Sequence, residues 1–440
     1  MLMKNKSTDI INLCLCIIMT VYGAALLLLN IVIPSLVIRN IIASLALVME
    51  FLLIYKKKLP FALTVHMLLI AVLCVYKTAW SLNAVLIYFV AVFSVLVYIY
   101  NVKLARMLLT ALYFCDIFYC IITIFLRFNK DIYINYVVKL FPDTEERLID
   151  WYNNNCMAGL TEHYSTNAML LSVGFIIAFS QFMAHIKNKN IKYKDIFEVG
   201  LFSIGVLLTG KRGHVIFIFL TVLVILFCSI KEKNAIKRTV VTLFRALLII
   251  LAVALLLRFV PSLSSFVTRF HSGVKSNNAT DISHGRFELW QLAWDTFKKH
   301  KLFGIGWKQY NPLISVQYSK RATYDTHNVY LQLLCETGII GFSVVISWFV
   351  KLFVLTIKVF RKKIVNFNAD FETRFLMFFS LGYQAFFLSY CLTGNPLYVR
   401  IMFIPYFTAC GITLYYSRHK IDISDLDTVD SKNTKGENNV

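Results

Sequence analysis

The run SLNAVLIYFVAVFSVLVYIYNVKLAR, residues 81–106, carries no charge from Ser81 to Tyr100 and then meets Lys103 and Arg106. A helix of about twenty residues is ~30 Å long and matches the hydrocarbon core of a bilayer. Lipid offers the backbone no hydrogen-bond partners, so such a run is helical. Similar runs fill nearly the whole chain, and the composition agrees: 58% of the 440 residues are hydrophobic and 16% are charged, with a mean hydropathy of +0.66. A soluble chain of this length needs far more charge. The expected fold is an all-α, polytopic integral membrane protein of about twelve transmembrane helices. They are placed at 10–30, 36–54, 60–77, 81–100, 107–127, 162–186, 196–209, 214–230, 239–259, 335–358, 374–392 and 399–416. One domain is expected over 1–417, including a long extracytoplasmic loop at 260–327, followed by a disordered cytoplasmic tail at 418–440.

The net charge of +21 raises the question of a nucleic-acid partner, and its distribution answers it. Basic clusters at Lys4/Lys6, Lys56–Lys58, Lys103/Arg106, Lys187–Lys194, Lys231–Arg238, Arg361–Lys363 and Arg418/Lys420 follow every second apolar run. This is the pattern of cytoplasmic loops, so it encodes topology, places both termini in the cytoplasm and leaves no role for nucleic acid. The basic start and first apolar run resemble a signal peptide, but they flow into a second span without a small-residue cleavage site and read as a retained anchor. Nearly all of the ten cysteines fall within spans, Cys156 lies in an outer loop, and Cys14-x-Cys16 lacks a metal partner. Neither disulfides nor metal sites are expected.

Two outer segments are long. Residues 128–161 are slightly acidic and read as a surface cap or short amphipathic helix. Residues 260–327 hold nine Lys or Arg against four Asp or Glu, and a loop of this length in a compact protein is usually functional. Around it stand three polar landmarks on the face where cations are not expected. Thr209-Gly210-Lys211-Arg212-Gly213-His214 is a tight turn whose glycines permit a sharp reversal; by itself it reads as two cations snorkelling to headgroups. Arg286 opens an amphipathic segment in which Trp290, Ala293, Trp294 and Phe297 share a face, suited to lying at the membrane surface. Its planar fork can grip phosphate oxygens in a bidentate manner. Asp325-Thr326-His327-Asn328 leads into a span, where Asn328, Gln332 and Glu336 form a polar stripe with His327 at its mouth, a candidate general base. Gly338 and Gly341 on the same helix suit close helix packing. Together, a basic cluster on the outer face points to an anionic, phosphate-bearing lipid substrate. Asp116 lies near mid-span, where an ionisable residue is functional by default, without a nameable partner, and Arg400 reads as a span-end anchor in preference to another outer cation.

The order of these elements resembles the O-antigen ligase and polymerase superfamily of bacterial membrane glycosyltransferases. The resemblance rests on Lys211-Arg212-Gly213, on Gly285-Arg286-Phe287-Glu288-Leu289-Trp290 with Leu302-Phe303-Gly304-Ile305-Gly306, and on His327-Asn328-Val329-Tyr330-Leu331-Gln332 with Glu336-Thr337-Gly338-Ile339-Ile340-Gly341. It covers roughly residues 200–345, with Gly210-Lys211 where Ser or Thr often precedes the arginine. It implies a GT-C-like architecture in the bacterial cytoplasmic membrane, with the active site on the extracytoplasmic face. The implied chemistry is glycan transfer from an undecaprenyl-diphosphate-linked donor to a glycan acceptor hydroxyl, without metal or other cofactor. Arg212 and Arg286 would bind the diphosphate, His327 would be the base, and Lys211, Asn328, Gln332 and Glu336 would support them. Partners would be the donor, the acceptor and the bilayer, with a chain-length regulator and a flippase as further candidates.

The leading expectation is a polymerase of lipid-linked repeat units for a surface polysaccharide such as O-antigen, capsule or exopolysaccharide. The first alternative is an O-antigen ligase that moves glycan to a lipid A core. A lipid-linked oligosaccharide flippase or transporter is a different class that twelve spans would also suit. The missing internal repeat and the long basic loop count against alternating access.

Overall fold

The computed structural model describes residues 36–187, 190–231, 234, 237, 239–242, 286–317, 325–365 and 369–419. The expected span 10–30, most of 239–259, the segments 260–285 and 318–324 of the long loop, and the tail from 420 lie outside the described residues.

Short polar side chains start several helices. Ser81 accepts from Ala84 N at 3.4 Å, Asn101 from Lys103 N at 3.2 Å, Asn328 from Leu331 N at 3.1 Å and Asp370 from Thr373 N at 3.4 Å. Each satisfies one of the backbone donors that a helix start leaves open. The resulting helices are α1 (Leu36–Ile54), α2 (Phe61–Val75), α3 (Leu82–Tyr98), α4 (Val102–Phe128), α5 (Glu145–Asn153), α6 (Tyr164–Lys187), α7 (Tyr193–Leu208), α8 (Arg212–Ser229), α9 (Arg286–Lys299), α10 (Tyr310–Gln317), α11 (Val329–Phe360), α12 (Phe371–Tyr390) and α13 (Arg400–Arg418). No strand occurs among the described residues. Among the described residues, five segments are long and apolar enough to cross a membrane: α1, α4, α6, α8, and α11 continued to Val365; α2 and α3 are shorter apolar helices. Each expected span within the described residues coincides with a helix.

Helix α3 packs between α1 and α13, α6 against α4, α7 and α12, and α12 against α8 and α13. The starts of α6, α8, α11 and α13 and the ends of α2, α4, α7 and α12 gather at one end of this bundle. Backbone bonds tie them there, from Trp307 N to Tyr76 O (3.1 Å), Met157 N to Leu208 O (3.0 Å) and Val329 N to Cys391 O (2.9 Å). The opposite end holds the basic clusters, where Lys187 Nζ meets Ser229 O at 3.4 Å and Lys363 Nζ meets His419 O at 2.7 Å. The segment after α4 is an ordered cap: Tyr133, Leu148, Tyr152 and Met157 bury themselves against Leu208 of α7.

Helix α11 is broken, which the sequence reading did not anticipate. Gly338, expected to serve close packing, has φ 62° and ψ −170°. The segment after α9 crosses the break and restores its backbone bonds. Ile339 N donates to Lys301 O (2.8 Å) and Ile340 N to Leu302 O (3.3 Å), while Ile305 N and Gly306 N donate to Cys335 O (3.2 Å) and Glu336 O (2.8 Å). A broken helix is tolerated at membrane depth when its freed groups find such partners. Two glycines make the approach possible: a Cβ on Gly304 (φ +67°) would stand 2.3 Å from Glu336 C, and one on Gly338 2.3 Å from Leu302 C. Gly341 does serve packing, with Leu73 of α2 2.8 Å from its ideal Cβ position.

Candidate functional site

The Thr209–Lys211 turn is held by its neighbours before any ligand is considered. Gly210 has φ +68°, and a Cβ there would meet Cys156 Sγ at 2.7 Å. The turn is thereby pressed against the cap, which places Lys211 at the start of α8 with its Nζ 5.6 Å from the centroid of the Tyr164 ring. Arg212 is the first residue of α8 and Arg286 the first of α9. Trp290 of α9 donates through Nε1 to Thr326 O at 2.8 Å, and this bond ties the arginine's helix to the residue before His327. His327 has φ 53°, a left-handed conformation that costs a non-glycine residue about 1–2 kcal/mol and persists only where its surroundings impose it.

These surroundings form a polar network rather than the open channel suggested by the stripe. Gln332 and Glu336 are fully buried. Gln332 accepts from Thr326 N (3.3 Å), Thr326 Oγ1 (3.2 Å) and Asn395 Nδ2, and donates to Asp325 Oδ1 (3.3 Å) and Glu336 Oε1 (2.9 Å). Glu336 also accepts from Lys308 N (2.8 Å), Tyr398 OH (2.8 Å) and Tyr310 N (3.3 Å). Lys308, itself at φ 62°, pairs through Nζ with Asp325 at 2.5 Å. Both neighbours of His327 are therefore fixed, because Asn328 caps α11 and donates its own N–H to Thr326 Oγ1 at 3.1 Å.

The electrostatics report which groups face one another. Burial, then Arg286 and Lys211, hold His327 down to about 4, with Asp325 opposing and Lys308 adding to the depression. Lys211 is lowered to about 8 by burial, then by Arg286, with Arg212 adding to it and Cys156 opposing. Arg286 lies below the usual guanidinium range through burial, with Tyr390 and Tyr164 opposing and Arg212 adding to the shift. Among the described residues no carboxylate forms an ion pair with Lys211 or Arg286. Like charges gathered in a desolvated place favour the arrival of an anion.

The structure thus brings Lys211, Arg212, Arg286 and His327 together, and Asn328, Gln332 and Glu336 belong to the hydrogen-bonded network that fixes the neighbours of His327. It leaves Asp116 elsewhere, buried in α4. Helix α9 packs on α11, which buries Ala293 and Thr296 and leaves Trp294 exposed. His163 escaped the sequence reading. It lies 4.4 Å from Trp151 and 4.6 Å from Tyr164, ring to ring, and is lowered to about 4 by burial, Lys211, Arg147 and His327. Its only sequence signal is a histidine at the start of a span on the cluster's side. No group of three or more His, Cys, Asp or Glu is placed to hold a metal ion among the described residues.

Residues 199–346 match the O-antigen ligase family. The resemblance drawn from the motifs is thereby shown over about a third of the chain, from α7 into the broken helix. This stretch includes all four clustered residues and the glycines of the break. Among curated proteins, none matches the chain.

Proposed function

We propose that the protein is an integral-membrane glycosyltransferase that moves a glycan from a polyprenyl-diphosphate carrier, undecaprenyl diphosphate in bacteria, to an acceptor hydroxyl. One observation carries the reading: three cations from two separate parts of the chain, Lys211 and Arg212 in one turn and Arg286 at the start of α9, gather beside His327. The cations cradle the diphosphate and stabilise the charge that grows on it as it leaves. The acceptor oxygen attacks the anomeric carbon, the bond from that carbon to the phosphate oxygen breaks, and its electron pair stays with the diphosphate. The hydroxyl proton passes to the neutral imidazole of His327. Attack opposite the leaving group inverts the anomeric centre.

The bound diphosphate also adjusts the base. Its negative charge offsets the repulsion from Arg286 and Lys211, so the imidazole becomes more basic in the complex than in the empty site. In this reading the chain crosses the membrane twelve times, and the cluster faces the extracytoplasmic side. The placement of Lys187 and Lys363 at the opposite end of the bundle supports that orientation.

For the acceptor we favour a second lipid-linked repeat unit, which makes the protein a polysaccharide polymerase. The similarity to the O-antigen ligase family favours a second reading, transfer to a lipid A core. Purified protein supplied with lipid-linked repeat units and lipid A core decides between them. Lengthened lipid-linked chains are the polymerase outcome, and product on lipid A core alone is the ligase outcome. Absence of transfer to either acceptor by a folded, donor-binding protein would refute glycosyl transfer itself.

A further inference from the structure

A second basic cleft opens at the same end of the bundle. Arg39 of α1, Asn83 of α3 and Arg400 of α13 line a cavity of about 420 Å³ together with Trp80, Ser81 and Tyr398. That volume falls within the range of small-molecule sites, and no Asp or Glu lines it among the described residues. Asn83 is 6% exposed, and its buried Nδ2, a donor, has no hydrogen-bond partner. An unsatisfied buried donor is costly, so a ligand that supplies an acceptor here gains by satisfying it. Two guanidinium-bearing side chains and an unsatisfied amide describe a receptor for phosphate oxygens.

The cleft and the His327 cluster share a wall. Trp80 lies 5.7 Å from Trp307 and 6.1 Å from Tyr398, ring to ring, and Lys308 Nζ stands 5.0 Å from the centroid of Tyr398. The same lysine pairs with Asp325, whose charge reaches His327. The spacing suits the proposed reaction. An acceptor glycan attached to a lipid phosphate reacts through a hydroxyl some distance from that phosphate, so its anchor belongs beside the catalytic cluster and not within it.

We propose that the Arg39–Asn83–Arg400 cleft is a second phosphate-binding subsite, which holds the headgroup of a lipid-borne, phosphate-bearing acceptor. The acceptor role rests on the glycosyltransferase reading, whereas the binding of a second phosphate-bearing lipid does not. The test uses full-length protein in detergent with undecaprenyl diphosphate as the probe, counted by native mass spectrometry. Wild type should bind two molecules; the Arg39→Gln/Arg400→Gln variant should bind one, with the remaining affinity unchanged. Asn83→Leu, close in volume, should weaken one of the two about tenfold, the effect of ~1.4 kcal/mol. Arg286→Gln should weaken the other. Only one molecule on wild type, or two of unchanged affinity on both cleft variants, overturns the subsite. So does displacement of the cleft-bound molecule by inorganic pyrophosphate or phosphatidylglycerol at the concentration at which undecaprenyl diphosphate binds, since that marks a free-anion or general-lipid site. If Arg286→Gln leaves both molecules in place while the cleft variants lose one, the donor reading fails and the subsite stands.

Discussion

Glu336→Gln is the sharpest perturbation of the candidate site, because it changes one atom's chemistry and little of its shape. Oε2 accepts from Lys308 N and Tyr398 OH, both at 2.8 Å, and Oε1 from Gln332 Nε2 at 2.9 Å and Tyr310 N at 3.3 Å. An amide in that place turns one acceptor into a donor. With its nitrogen toward Lys308, it opposes a backbone N–H that cannot turn, although the Tyr398 hydroxyl can rotate and accept. With its nitrogen toward Gln332, it opposes two donors. Gln332 cannot flip in response, because its oxygen is held by Thr326 and Asn395. One or two hydrogen bonds are lost, each worth about 0.5–3 kcal/mol according to the charge on the acceptor, and a buried donor is left unsatisfied. The total is about 3–5 kcal/mol, and it falls on the network that holds His327. Turnover should drop by roughly a hundredfold or more. Donor affinity should fall less, since Lys211 and Arg212 sit on α8, outside the network. Glycan transfer and donor binding are measured on the same purified variant, together with its thermal midpoint. Wild-type turnover at wild-type stability would falsify the claim that this network positions the base.

Other perturbations separate base, cradle and scaffold. His327→Ala should lower transfer by about 10²–10⁴-fold while donor binding persists; a folded variant with full product yield removes the base assignment. Arg286→Ala removes a charge-assisted contact of about 1.5–3 kcal/mol, so donor binding should weaken by one to two orders of magnitude, and an unchanged dissociation constant would count against the cradle. The pH profile has a predicted sign on each side. His327 acts only when neutral, so kcat/KM falls as the pH drops through about 4, and Lys211 acts only when charged, so it falls as the pH rises through about 8. Lys211→Arg should remove the alkaline limb, because a guanidinium stays protonated there; an unmoved limb assigns it to another group. Gly304→Ala forces a Cβ against the backbone of Glu336 in a left-handed conformation that itself costs about 1–2 kcal/mol. It should lower the thermal midpoint and the activity together, and neither should change if the break in α11 is incidental.

The membrane class and the helix positions were legible because lipid imposes a simple rule on the backbone, which runs such as residues 81–100 and 162–186 obey. The cations were legible for a related reason: Lys211, Arg212 and Arg286 stand where the charge pattern of the rest of the chain predicts none. Residues that act through distant partners were not. Gly338 looked like a packing glycine because the segment that opens the helix at that point lies more than thirty residues upstream, at Lys301–Gly306. Glu336 looked like part of a polar channel because its four donors come from Lys308, Tyr310, Gln332 and Tyr398, and only Gln332 lies within reach of a helical spacing rule. His163 gave almost no signal, since the rings that cover it, Trp151 and Tyr164, come from the cap and from the start of a span, and no spacing rule joins the two.

The two kinds of residue solve different parts of one problem. Lys211, Arg212 and Arg286 repel each other, so in the empty site they push the cluster apart and oppose its own assembly. A flexible arrangement would relax by moving a side chain into water, and the affinity for an anion would be lost in reassembling it. The protein prevents this with backbone: a turn locked against Cys156 by Gly210, a helix start fixed to Thr326 by Trp290, and a broken helix clamped through Gly304 and Gly338. On the proposed reading, the repulsion is held in place until the donor's diphosphate relieves it. For that reason the uncharged residues of the clamp should prove as costly to change as the arginines themselves.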